Sequence, residues 1–343
     1  GDASSRRDGV AVVRTHRCYD HPDRRVARGL RVSQTVCVMR IVVGVDGGGT
    51  STRAVVLDET GHEMARAEGP GAVATLDDPA AVSAAVVSVV ARALEDADVT
   101  LPVDVLWAGL SGAGRDDVQA AVRASLMEAS LAERVFVGTD VEAAFSDAFP
   151  LAEPGILLIA GTGSILWARS PGAHMIRVGG WGQDMGDEGS GYWIGREALR
   201  SVAAAADGRG PETELTGKAL VHSSGQEPGD LIAWAASASK SDIAALAPAV
   251  TEVADAGDGV AERILSEAVE ELVGHITVGV ERSGPWQSRP TLCVWGGLVW
   301  KGGPLHRRLN GAVQQLAVDL ASRELDPPSG AARMALSELG DQP

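Results

Sequence analysis

Ile41-Val42-Val43-Gly44-Val45-Asp46-Gly47-Gly48-Gly49-Thr50-Ser51-Thr52-Arg53-Ala54-Val55-Val56-Leu57 decides the fold. A β-branched apolar run enters, three glycines turn the chain, and a second apolar run leaves. That pattern is a buried β-hairpin with Asp46 at its tip. Gly47, Gly48 and Gly49 admit backbone angles closed to other residues and let the main chain approach a ligand. Successive N–H groups in such a turn, with the hydroxyls of Thr50 and Thr52, make an anion-binding concavity. A carboxylate beside a phosphate cradle is unfavourable without a cation between them, so Asp46 implies Mg²⁺. The plainer alternative is a tight hairpin whose Asp serves only the turn. The pattern G-x-x-x-x-G-K-[ST] occurs nowhere, and a strand follows where a dinucleotide-binding fold wants a helix.

The chain has 343 residues, enough for two domains with sizeable cores. Its net charge of −16 argues against nucleic acid or an anionic membrane as the main partner. Apolar runs are too short to span a bilayer. Cys18, Cys37 and Cys293 lie far apart, with neither a disulfide framework nor cluster spacing, which makes a reducing cytoplasm the expected compartment.

Residues 1–38 differ from the remainder. They carry eight arginines, four aspartates and no Lys or Glu, a charge of +4 that leaves −20 for the rest. We read them as a disordered extension or an upstream-called start and exclude them from the fold; a targeting peptide would want sustained amphipathic periodicity, which is lacking. Beyond them the expected class is α/β, with an antiparallel hairpin leading into a mostly parallel sheet. Expected elements include helices over Pro79–Asp96, 241–256, 259–283 and Pro304–Glu324, and a closing helix over Ala331–Leu339.

The opening pattern then restarts. Gly155–Ala160 is an apolar strand, Gly161-Thr162-Gly163-Ser164 a glycine turn, and Ile165–Arg169 a returning strand, about 115 residues after the first hairpin. Two similar α/β domains are therefore expected. The first covers 40–150 and is joined by the helix over 331–339, and the second covers 151–330. Each offers a glycine hairpin to a shared cleft that grips a phosphate chain. A third stretch, Gly179-Gly180-Trp181-Gly182-Gln183-Asp184-Met185-Gly186-Asp187-Glu188-Gly189-Ser190-Gly191, sets six glycines and three acids around one Trp before a helix. Asp187 or Ser190 is also a candidate helix cap.

The first hairpin resembles the first phosphate loop of the sugar kinase, Hsp70 and actin superfamily. Together the three stretches resemble the N-acetylglucosamine kinases of the BadF/BadG/BcrA/BcrD ATPase family, over about 40–339. That resemblance implies two ribonuclease-H-like (actin-like ATPase) domains around a central cleft for ATP·Mg²⁺ and an amino sugar, and a homodimer is expected. It implies that Asp46, Gly47, Gly48, Gly49, Thr50 and Thr52 form the first phosphate loop, with Asp46 on the metal. Gly161, Thr162, Gly163 and Ser164 form the second, and Gly296 and Gly297 lie near the adenosine. Asp140, after the strand ending Val137-Gly138-Thr139, falls where the family has its catalytic carboxylate; a plain N-cap is its alternative. Ser111 and Gly112 match the loop beside the sugar, and Trp181, Asp187 and Glu188 the sugar-side motif.

The implied reaction is transfer of phosphate from ATP to the 6-hydroxyl of N-acetylglucosamine or glucosamine. The loop Gly69-Pro70-Gly71-Ala72-Val73 lacks the Asn that relatives often place on a sugar hydroxyl, so related hexosamines stay open. The alternatives are an ATPase activator of an acyl-CoA reductase or dehydratase and a non-catalytic sugar sensor. The first wants cysteines for an iron–sulfur cluster, and these three are badly placed for one. The second is disfavoured by Asp46 and Asp140, the two carboxylates that the chemistry needs.

Overall fold

A computed structural model describes residues 39–150 and 153–340. The extension expected over 1–38, with Cys18 and Cys37, lies outside the described residues. The described chain forms two compact units, 39–139 with 331–340, and 140–330.

The first unit opens with the hairpin β1 (Ile41–Gly47) and β2 (Ser51–Asp58), followed by β3 (Glu63–Pro70), α1 (Pro79–Asp96), β4 (Val103–Leu110), α2 (Asp116–Glu128) and β5 (Ala132–Thr139). Its sheet runs β3-β2-β1-β4-β5. The first two pairings are antiparallel, and β1 and β5 flank β4 in parallel. β1 is central, which explains its unbroken apolar run: both faces are covered, so nothing along it alternates. On one side Val82, Val86, Val89, Val90 and Ala93 of α1 form a helical stripe that packs with Val43, Val45, Val56 and Leu106.

The second unit begins with α3 (Asp140–Ala148), then β6 (Gly155–Ala160), β7 (Ser164–Arg169), β8 (Met175–Gly179) and α4 (Gly191–Ala206). Four shorter helices follow: α5 (Leu215–Ser223), α6 (Asp230–Ser237), α7 (Lys240–Ala244) and α8 (Ala247–Asp255). The unit continues through the long α9 (Gly259–Ser283), β9 (Thr291–Trp295), α10 (His306–Val313) and β10 (Asp319–Leu320). Its sheet order, β8-β7-β6-β9-β10, repeats the first unit strand for strand, with the same senses of pairing. The repeat seen in two glycine turns is thus a repeat of whole topology. α11 (Pro327–Gly340) runs from the second unit into the first. Within the first unit its last carbonyls are capped by guanidinium groups: Arg40 donates to Leu339 O at 3.0 Å and Arg134 to Glu338 O at 2.7 Å.

Three expectations are corrected. The helix expected over Pro304–Glu324 stops at Val313, because the chain turns to add β10 beside β9, where Asp319 N–H donates to Pro290 O and Ala321 N–H to Leu292 O. The helix expected over 241–256 is two, broken at Ala245-Leu246 ahead of Pro248, which stands in the first turn of α8. The short strand β8, which leads into the glycine-rich third stretch at Gly179, was not expected. In addition α3, placed by the sequence at the end of the first domain, groups with the second unit. Its Ala144, Phe145 and Ala148 pack with Leu157, Cys293 and Leu325, and Asp147 pairs with Arg323 at 2.8 Å.

Candidate functional site

In the first unit, three loops at the carboxyl ends of β1 and β4 and the end of β3 are fastened by main-chain hydrogen bonds. Ser111 N–H donates to Gly47 O at 2.7 Å, Ala74 N–H to Ser111 O at 2.8 Å, and Gly71 N–H to Thr50 O at 3.2 Å. Ligands of open α/β sheets bind at such strand ends. Glycine is what lets the loops meet. A Cβ on Gly71 would overlap Gly48 O and lie 2.5 Å from Ser51 N, and one on Gly112 (φ +86°) would overlap Ala74 O. Ser111 and Gly112 are thereby locked against the turn that carries Gly47, Gly48, Gly49 and Thr50.

Asp46 stands at the end of this sheet, in register with Arg53 on β2 and Gly109 on β4. Arg53 donates to its Oδ2 at 2.5 Å, a charge-assisted contact that fixes the carboxylate's orientation. The sequence reading missed Arg53, yet hairpin register alone would have found it, because the two residues face each other across the turn. Thr52 is 1% exposed and its hydroxyl oxygen has no hydrogen-bond partner among the described residues. It lies 3.8 Å from the point where a Cβ on Gly47 would sit. No cluster of three or more His, Cys, Asp or Glu that could hold a metal occurs among the described residues. One carboxylate and an orphaned hydroxyl beside an open glycine turn match the sparse protein ligation of Mg²⁺, which keeps waters and takes phosphate oxygens.

In the second unit, the turn after β6 is built the same way. Gly161 N–H closes on Gly163 O at 2.9 Å, and the start of α4 braces the turn from behind: Gly191 N–H donates to Gly161 O at 2.8 Å and Tyr192 N–H to Thr162 O at 3.3 Å. Ser164 is the hub. Its hydroxyl donates to Glu188 O at 2.7 Å, its N–H to Asp187 Oδ1 at 3.1 Å, and its carbonyl accepts from Gly180 N–H at 3.1 Å. The turn and the third stretch are therefore one structure. Gly296 (φ +108°) crosses directly over the end of β6, where a Cβ would overlap Ala160 O, and Gly297 N lies 3.9 Å from a Cβ placed on Gly161. Thus Gly161, Thr162, Gly163, Ser164, Asp187, Glu188, Gly296 and Gly297 come together within one unit.

The capping alternatives separate here. Ser190 is the cap of α4, accepting from Trp193 N–H at 3.2 Å. Asp187 is not: it is 3% exposed, has a left-handed backbone (φ +60°), and binds the turn and Lys240, whose ammonium lies 2.6 Å from Oδ2. Lys240 stands more than fifty residues along the chain, and no motif marked it. Trp181 is 61% exposed under the guanidinium of Arg177, 4.7 Å from the ring centre. The Glu188 carboxylate approaches Nε2 of the buried His275 at 3.9 Å, and Nδ1 of that ring is engaged by Glu271 O at 2.7 Å. Asp140 opens α3, half-buried, with its Oδ1 accepting from Val141 N–H at 3.0 Å.

Residues 43–322 match the model of the BadF/BadG/BcrA/BcrD ATPase family. The chain is 30% identical over 313 residues to the N-acetyl-D-glucosamine kinase of Dictyostelium discoideum, covering 87% of this chain and 98% of that protein. It is 28% identical over 272 residues to the N-acetylmuramic acid/N-acetylglucosamine kinase of Clostridium acetobutylicum, covering 76% and 86%. A crystal structure from Chromobacterium violaceum, provisionally named an N-acetylglucosamine kinase, shares 29% identity with a TM-score of 0.73, covering 87% of this chain and 99% of that one. No helix among the described residues is long and apolar enough to cross a membrane. With matched residues running from the first hairpin to the end of the second sheet, the chain belongs to the BadF/BadG/BcrA/BcrD ATPase family.

Proposed function

We propose that this chain transfers the γ-phosphoryl group of ATP to the 6-hydroxyl of an amino sugar, with N-acetylglucosamine or glucosamine as substrate. The observation that carries the reading is the fusion, through Ser164, of the Gly161–Ser164 glycine turn with the Asp187–Glu188 motif. Resemblance to amino-sugar kinases over almost their whole length supports the choice of acceptor.

Phosphoryl transfer is mostly positioning and charge neutralisation. The N–H groups of Gly47–Thr50 and of Gly161–Ser164 bind phosphate oxygens. Asp46, oriented by Arg53, and the Thr52 hydroxyl would hold Mg²⁺ or its waters, and the ion would supply neutralising charge to the phosphates. Gly297, where a Cβ would meet nothing within 4 Å, leaves room for the adenosine beside Gly296, while Ser111, Gly112, Trp181, Asp187 and Glu188 serve the sugar. Asp140 accepts the proton of the attacking hydroxyl.

The test is a coupled ADP assay over a panel of N-acetylglucosamine, glucosamine and glucose, run on the parent and on Asp140→Asn. Amino sugars are expected to outrun glucose, and Asp140→Asn to lower kcat by roughly 10²–10⁴ with an unshifted melting temperature, because Asn caps a helix about as well as Asp. Equal rates on all three sugars, or a variant kcat within a few-fold of the parent, would overturn the reading.

A further inference from the structure

The chain has 30 basic Lys and Arg residues, and only three of them are lysines: Lys218, Lys240 and Lys301. One of the three is brought onto the second glycine turn. Its ammonium lies 2.9 Å from where a Cβ on Gly163 would sit, beside Asp187 Oδ1 at 2.7 Å from the same point. Gly163 therefore lacks a side chain where the Lys240–Asp187 pair stands. The fold also works to deliver this lysine. α7 reaches the start of α4 through two small-residue contacts one helical turn apart. A Cβ on Gly191 would press on Ala244 at 3.2 Å, and one on Gly195 would overlap Ile243 O. Ser239 and Asp242 close a capping box around the first turn of α7, fixing the backbone that carries Lys240.

What the lysine does there follows from its partners. Asp187 is buried, its Oδ2 lies 2.6 Å from the ammonium, and it is the one ionic partner of Lys240 among the described residues. An ammonium has three donors. The carboxylate oxygen takes one, no other group among the described residues takes the remaining two, and the side chain is 32% exposed. A lysine tethered by one carboxylate with two donors unspent is suited to a ligand carrying compact negative charge, the use of Lys as a point charge on phosphate.

We infer that Lys240 binds the phosphate chain of the nucleotide seated on the Gly161–Ser164 turn, with Asp187 as the tether that aims it. This rests on the kinase reading above, and it adds a phosphate-binding side chain from the helical segment between the two halves of the second unit's sheet.

The scarcity of lysine makes the test direct. The full-length parent is treated with an amine-acetylating reagent alone, with inorganic tripolyphosphate, with ATP or with adenosine, and acetylation at each lysine is read by mass spectrometry. Tripolyphosphate and ATP are expected to protect Lys240 at least fivefold and adenosine to leave it reactive, with Lys218 and Lys301 as internal controls. Calorimetry on Lys240→Gln should show ATP affinity down tenfold or more with adenosine affinity within twofold, and Lys240→Arg should recover most of the loss. Lys240 equally reactive with and without both phosphate ligands, in a parent that makes ADP from ATP and an amino sugar, would overturn this inference alone. A parent that binds no ATP would overturn the kinase reading and this inference with it.

Discussion

Gly112→Ala, compared with Gly114→Ala two residues later, measures how tightly the loops of the first unit are fastened. At Gly112 the backbone has φ +86°, a region that costs an L-residue roughly 1–2 kcal/mol. The new Cβ would also overlap Ala74 O and lie 2.8 Å from Val73 Cγ1. Overpacking of this kind costs typically about 1–3 kcal/mol, and here the main obstacle is backbone, which cannot rotate away. The two effects together come to roughly 2–5 kcal/mol. At Gly114 nothing lies within 4 Å and φ is not positive, so Ala is expected to change stability by less than about 0.5 kcal/mol. The cheapest relief for Gly112→Ala is to push the 69–76 segment outward, breaking the hydrogen bond from Ala74 N–H to Ser111 O. Hydrogen exchange read by mass spectrometry should then show protection in peptides spanning 72–76 lowered by roughly 30-fold or more, since each 1.36 kcal/mol is a factor of ten. ATP-dependent turnover should fall with it. If Gly112→Ala exchanges and turns over like Gly114→Ala, the loops are not fastened as described.

Three further outcomes are expected. Asp46→Asn should reduce Mg²⁺-dependent turnover by roughly 10²–10³-fold. The melting temperature should hardly move, since the Arg53 side chain, 32% exposed, keeps water and the new amide oxygen as partners, a loss of about 1 kcal/mol or less; undiminished Mg²⁺-dependent activity would refute the role. Asp258 caps α9, accepting from Val260 and Ala261 N–H, and its other oxygen takes the Thr213 hydroxyl and Glu214 N–H. Burial raises its pKa, but these hydrogen bonds more than offset that and leave it below the ordinary 3.8. A carboxylate with a lowered folded pKa stabilises the fold above its unfolded value, and that contribution is lost as pH falls through the folded one. Asp258→Ala should therefore cost about 1–2 kcal/mol at pH 7 and less in urea titrations near pH 3; an unchanged deficit would contradict the cap. The Cys293 thiol, 3% exposed, is pushed by burial up to about 11 from 9.0. Its stabilising effect is whole below pH 9 and fades toward 11, and its peptide should be alkylated at neutral pH only as fast as the protein opens; rapid labelling would show the site is not closed.

Much of the fold was legible because its signals are local. The run from Ile41 to Leu57 contains both strands and the turn between them, so a short window is enough to read it. Asp46 and the two glycine turns were legible for the same reason, whereas the equal order of the two sheets is seen only in the structure. The corrections fall where tertiary pairing overrides helical pattern. Nothing within 304–324 announces that Asp319 will find Pro290 across the sheet. Arg53 was within reach of register reasoning, and its partner follows once the hairpin is drawn. Lys240 was not: it meets Asp187 only because Gly191 and Gly195 let α7 dock on α4, a fact about packing that no spacing encodes. Likewise the hub at Ser164 joins its hydroxyl, N–H and carbonyl to Glu188 O, Asp187 Oδ1 and Gly180 N–H, partners 16 to 24 residues away that no local pattern pairs with it.

The proposed destination of the phosphate is the sugar's 6-hydroxyl. Phosphorus–proton correlation NMR on the product of the parent enzyme with ATP, Mg²⁺ and N-acetylglucosamine or glucosamine reads this directly. ADP is expected in equal amount with sugar phosphate, and a phosphorus resonance coupled to both protons on C6. Phosphorus coupled to the anomeric proton, or ATP consumed with no phosphorylated sugar, would contradict it.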